Sequence, residues 1–187
     1  MAVKSQHSDT YAMYFCTFTC YQWLSLFEIT KSYDCVYKWF EYLKNKNIEV
    51  VGYVIMPNHL HCILYFKEHK FDLNKVISNA KRFIAYEIIK RLEKAADIDL
   101  LNQLAAGITI RESKKGQKHR VFEESFDAKA IFSKPFLKQK LDYLHANPVK
   151  RKRNLAEDFT LYEHSNASFY EKGIWFHFKP VHYLDVG

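Results

Sequence analysis

Glycine and proline are scarce, five and four among 187 residues, which excludes collagen-like, linker-rich and low-complexity organisation. Cysteine is scarce too. Cys16, Cys20, Cys35 and Cys62 show no paired spacing of the kind that builds a structural zinc site. Cys16 and Cys20 fall on one side of a predicted strand, roughly 13 Å apart at ~3.3 Å per residue, too far for a disulfide. No secretory apolar segment opens the chain, so a reduced, cytoplasmic protein is expected. Long hydrophobic runs are lacking as well. Thr17, Thr19, Gln22 and Ser25 interrupt the most apolar stretch, residues 12–27, which reads as a strand and predicts no membrane association. There is no internal repeat.

Acidic residues are outnumbered, 21 against 28 Lys and Arg, giving a formal charge of +7 and a pI near 9.1. The excess is clustered. Residues 111–120, which include Lys114, Lys115 and Lys118, and residues 150–153 (Lys150, Arg151, Lys152, Arg153) carry much of it. Such clusters suit a nucleic-acid or anionic-surface binder, and equally a solvated loop. Apolar residues are plentiful at 48%, with 15 Phe and 13 Tyr, so one domain of this length can bury a substantial core.

The organising stretch is 53–66, Tyr-Val-Ile-Met-Pro-Asn-His-Leu-His-Cys-Ile-Leu-Tyr-Phe. It reads as a strand, a tight Pro-Asn turn and a second strand. Because side chains alternate along a strand, His59 and His61 share one face, and Leu60, Cys62, Leu64 and Phe66 share the other. Before it come a predicted strand over 13–22 and a helix over 30–46 with Val36, Trp39, Phe40 and Leu43 at helical spacing. After it, Asp72 is placed to cap a helix to about residue 94, with an apolar stripe of Leu73, Val76, Ile77, Ala80, Ile84, Ile88 and Leu92. The other flank of that helix carries Lys81 and Arg82, either an ordinary wet face or a nucleic-acid contact.

Residues 120–126 predict a fourth strand. Ser133, with Pro135 in the first turn, starts a third helix that must stop before Pro148. The order β-α-β-β-α-β followed by a helix predicts an α+β fold, a ferredoxin-like antiparallel sheet with helices on one face. The His59/His61 face, bearing Tyr65, should then lie open as a nucleic-acid platform.

Two imidazoles two residues apart on a strand converge on one cation when a third ligand joins them, although such a pair is commonly just exposed polar surface. On the third helix, Leu137, Leu141 and Leu144 form the buried stripe. Tyr143 and Asn147, four residues apart, project together from another side, as a marginal tyrosine and a helix cap or as parts of a site.

The segment Met56-Pro-Asn-His-Leu-His61, followed by Tyr143-Leu-His-Ala-Asn-Pro-Val149 and basic residues, resembles the single-tyrosine HUH transposases, in particular the REP-associated tyrosine transposases. The resemblance runs over residues 15–170 and implies a single HUH domain over 1–187, with a core of about 12–155 and an extension over 156–187. It implies a single-stranded DNA endonuclease and strand transferase active in DNA transposition or recombination through a 5′-phosphotyrosine. Tyr143 would be the nucleophile, and His59, His61 and Asn147 the ligands of a divalent metal, Mg²⁺ or Mn²⁺. Lys81, Arg82, Lys114, Lys115, Lys118 and the 150–153 run would hold DNA, a hairpin-forming single strand. The family includes homodimers and monomers. Phe122, Lys152 and Asn166 depart from its usual tryptophan, glycine and serine. A non-catalytic ferredoxin-like nucleic-acid-binding module is the alternative reading.

Overall fold

The computed structural model describes residues 12–68, 70–150 and 154–186. Strand β1 (Met13–Thr19) leads through a 3₁₀ turn and a short helix α1 (Leu26–Ile29) to α2 (Tyr33–Lys44), and then to the hairpin of β2 (Ile48–Met56) and β3 (His59–Phe66). Next come α3 (Leu73–Lys94), α4 (Ile98–Ala106), α5 (Ile110–Ser113), β4 (Asp127–Ala130), α6 (Lys134–His145) and α7 (Ala167–Lys172). The sheet runs β2-β3-β1-β4 with every neighbouring pair antiparallel, which is the ferredoxin-like order.

Local signals explain most boundaries. Asp72 accepts a hydrogen bond from the Lys75 amide to start α3, and Leu73, Ile77, Ala80, Ile84, Ile88 and Leu92 are buried along it. Ser133 accepts from the Phe136 amide to start α6, and the helix ends at His145, ahead of Asn147 and Pro148. All four cysteines are free thiols.

Three expectations are corrected. The first strand stops at Thr19 because Gln22 and Trp23 adopt positive φ (51° and 59°) and turn the chain. Residues 120–126 are not the fourth strand. Phe122 makes only an isolated bridge to Cys20, and the Lys81 ammonium gathers the carbonyls of Glu123, Glu124 and Ser125 at 2.5–3.4 Å, so β4 begins at Asp127. Finally, the histidine face is not open. It is covered by α6, whose Leu137, Leu141 and Leu144 pack on Phe15, Val51, Val54, Met56 and Ile63 in a second core. Tyr65, half-buried, packs against the same cluster. The sequence signal for this cover is the Leu stripe of α6 itself, which needs a partner surface.

The larger core lies on the opposite face, where Leu60, Cys62, Leu64 and Phe66 meet α2 and α3. Gly52 lets α6 approach the sheet, since a Cβ there would stand 2.8 Å from Leu141 Cδ2. Strand β2 carries a bulge between Val50 and Gly52. The Val51 carbonyl at the bulge accepts from Asn166 Nδ2 (3.1 Å) and from the Tyr170 hydroxyl (3.0 Å). Asn166 Oδ1 accepts from the Tyr53 amide at 2.9 Å, and the Val181 amide donates to the Val50 carbonyl. Residues 165–181 thus line the edge of β2, and the buried Phe178 accepts from the Tyr53 hydroxyl through its carbonyl.

Candidate active site

The β2-β3 turn and the end of α6 meet at one place. His59 and His61 stand with ring centroids 4.7 Å apart and planes at 81°, and the Tyr143 ring lies 5.4 Å from His61 at 71°. Both histidines are buried, 1% and 6% exposed, whereas Tyr143 is 42% exposed. The arrangement pairs two imidazoles shielded from bulk water with a phenol that a large substrate can reach.

Neighbours fix each ring. Asn58 Nδ2 donates to the Trp23 carbonyl at 3.1 Å, which turns Asn58 Oδ1 toward His59 Nδ1 at 2.7 Å. An amide oxygen only accepts, so Nδ1 of neutral His59 carries the proton and Nε2 the lone pair. Thr17, directly opposite His61 across the β1-β3 ladder, places Oγ1 2.6 Å from His61 Nδ1. Phe15 stacks on His61 at 5.4 Å, and Trp23 meets His59 edge-on at 5.5 Å. Sequence reasoning misses Thr17, Asn58, Phe15 and Trp23. Continuing the two-residue alternation from Phe15 would reach Thr17, but its register against His61 is a tertiary fact.

Asn147 is buried and donates from Nδ2 to the Tyr143 carbonyl at 3.2 Å, closing the last turn of α6. This ties the amide to the backbone of the tyrosine itself. Lys150 places Nζ 4.0 Å from the Tyr143 ring centroid, and Lys140 lies over Phe15, Phe136 and Tyr143 at 5.1–5.8 Å. Burial and the nearby Lys129 lower the Lys140 pKa.

Of the other basic residues, Lys81 is half-buried and engaged with the 123–125 carbonyls, and burial lowers its pKa to about 8 against the opposing pull of Glu123. Arg82 is exposed with its guanidinium over Phe83. Lys114, Lys115 and Lys118 stand on the exposed turn after α5, whose base is closed by Arg120 and Glu112. Arg151, Lys152 and Arg153 lie outside the described residues. Among the described residues no helix is long and apolar enough to cross a membrane.

His145 is a structural neighbour of the site. Its Nε2 lies 3.2 Å from Asn166 Oδ1, and burial lowers its pKa to about 4, against the opposing contributions of Asn166 and Asp142. Asn166 thereby links α6 to the bulge of β2.

The fold and the site together define an α+β protein with a four-stranded antiparallel sheet, two buried strand histidines and a helix-borne tyrosine beside them. The same fold is seen in the solved structure of a REP-associated tyrosine transposase bound to a REP hairpin, at 17% identity over 97% of this chain and 93% of that one, with a TM-score of 0.62. A structure described as a candidate transposase from Deinococcus radiodurans aligns over 70% of this chain and 86% of that one at 11% identity, with a TM-score of 0.42. No family model matches the sequence, and no curated protein matches it.

Proposed function

We propose that this chain is a metal-dependent single-stranded DNA endonuclease and strand transferase, a transposase of the HUH kind, in which Tyr143 is the nucleophile. The observation that carries this reading is the meeting of His59, His61 and Tyr143 within one chain. The shared fold with a transposase supports it, and that protein's bound REP hairpin supports a folded single strand as the substrate.

The donor set fits a divalent cation. His59 holds its Nδ1 proton on Asn58, the outer-shell arrangement that fixes a metal-binding imidazole, and the Thr17 hydroxyl is placed to accept the corresponding proton of His61. With Asn147 as the third ligand, the imidazoles suit Mn²⁺ and the amide oxygen either Mg²⁺ or Mn²⁺. A bound ion would offset charge on the scissile phosphate, a contribution of several kcal/mol.

The chain's own groups do the rest. Tyr143 Oη attacks the phosphorus; an O–P bond forms, the P–O3′ bond breaks, the phenol proton passes to solvent and a proton is taken up to give a free 3′-OH. The product is a 5′-phosphotyrosine. A 3′-OH attacking it reverses the step and rejoins strands without an external energy source. Lys150, with Nζ 4.0 Å from the Tyr143 ring centroid, would bring positive charge to the phosphate under attack. Lys150, with Arg151, Lys152 and Arg153 following it, would hold the phosphates next to the break, while Arg82, Lys114, Lys115 and Lys118 would hold flanking DNA. Lys81 acts there only if its ammonium leaves the 123–125 carbonyls. The Tyr143 ring lies 5.4 Å from His61 of its own chain, which supports a site assembled within one protomer.

Incubation with a labelled hairpin single strand and Mg²⁺ or Mn²⁺, resolved on a denaturing gel, should give a covalent protein–DNA adduct. Hairpin binding without any adduct would sink the reading and leave the non-catalytic nucleic-acid-binding module.

A further inference from the structure

Away from that site, Glu163, His164 and His177 bring one ligand atom each to within 4.8 Å of one another. We propose that these three side chains form a Zn²⁺ site that clamps residues 174–181 to the sheet. His177 Nε2 lies 3.1 Å from Glu163 Oε2, and His164 Nε2 lies 3.8 Å from Glu163 Oε1. Ligands of a tetrahedral ion at ~2.0–2.1 Å stand roughly 3.3 Å apart, so small rotations of the exposed Glu163 and His177 complete the site.

The third member is already fixed. The His164 carbonyl accepts from the Ile55 amide of β2 at 2.8 Å, its ring stacks on Tyr33 at 3.7 Å, and its Nδ1 lies 2.9 Å from the Tyr37 hydroxyl. That hydroxyl is the outer-shell partner a metal-binding imidazole requires, and it leaves Nε2 pointed at Glu163. His177 stacks on His164 and Tyr37 at 5.4 and 5.0 Å, and the next residue, Phe178, is buried.

Two imidazoles and one carboxylate are an N/O set that prefers Zn²⁺ to Mg²⁺, and three protein ligands leave a position for water or a further donor. The two histidines line a cleft of about 540 Å³ shared with Pro57 of the β2-β3 turn, so an ion there has access from solvent. A hydrogen-bonded Glu-His-His cluster without an ion is the competing account of the same distances.

Calorimetric titration of the chelator-treated full chain with Zn²⁺ separates the two. Glu163→Gln and His177→Ala, both at exposed positions, should each remove one equivalent of bound Zn²⁺ and abolish the rise in melting temperature that this equivalent produces. Tyr37→Phe should keep the equivalent but weaken it roughly 10–100-fold. His59→Asn/His61→Asn should leave it intact, and excess Mg²⁺ should not displace it. If Zn²⁺ stoichiometry and affinity are the same with and without Glu163→Gln and His177→Ala, or if the unaltered chain takes up no Zn²⁺, the cluster is a hydrogen-bonded one and the proposal falls.

Discussion

Tyr143 meets His61 edge-on at 5.4 Å, and the helix that carries it is seated on the sheet beside His61 through the glycine gap at Gly52. The reacting group and its partners are therefore spaced by core packing. A Val side chain at Gly52 would drive into Leu141, whose Cδ2 lies 2.8 Å from where the Cβ would stand, and into Ile63 at 3.3 Å. Gly52→Val should cost about 1–3 kcal/mol in chemical denaturation. It should also lower adduct formation well beyond the fraction unfolded, because α6 must move outward with Tyr143.

Tyr143→Phe should abolish the covalent adduct and leave hairpin affinity nearly unchanged, since the ring keeps its contacts with Phe15 and Lys150 and only the hydroxyl is lost. An adduct that persists through another tyrosine would contradict the assignment.

His59→Asn and His61→Asn should each reduce cleavage and weaken Mn²⁺ binding. Both rings are buried, so a stability loss of about 1–3 kcal/mol accompanies them as Asn58 or Thr17 loses its partner. Measuring Mn²⁺ affinity on the folded fraction isolates the metal effect. Unchanged affinity in both variants would refute the ligand assignment.

In the metal-free chain, acid should destabilise the fold between about pH 6.5 and 4. Burial holds the His145 pKa near 4, below its ordinary 6.5, so the unfolded chain binds a proton in this window that the native chain refuses. The His145 contribution is whole above pH 6.5, falls as pH drops and levels off below 4, a loss on the order of 3 kcal/mol at most from this group. Burial lowers the His164 pKa to about 4 as well, so His145→Gln should remove part of the slope in denaturation series, not all of it.

Replacing Lys150, Arg151, Lys152 and Arg153 by glutamine should flatten the plot of log hairpin affinity against log salt by roughly two to three units, at about 0.7 per phosphate contact on single strands. An unchanged slope would mean that the run makes no contact with the phosphates.

Much of this is legible in the chain. Asp72 and Ser133 announce their helices, the alternation in 59–66 sorts the two faces of β3, and the paired motifs point to His59, His61 and Tyr143. What escapes is set by contacts distant in sequence. The burial of the histidine face depends on α6 returning over the sheet, and the displacement of β4 depends on one ammonium, that of Lys81, collecting three carbonyls. The side chains that steady His61 from β1 are likewise a matter of register, which no local pattern encodes.

The edge of β2 is sealed by residues more than a hundred positions further on, as the Tyr53–Asn166 bond shows with a separation of 113. During synthesis, residues 13–130 can assemble the sheet while that edge still presents bare amides and carbonyls. Until residues 165–181 have been made, the nascent protein offers a template to any neighbouring strand. A ribosome stalled before that point would release a chain inclined to coalesce with its siblings, so residues 165–181 guard an edge built more than a hundred positions before them.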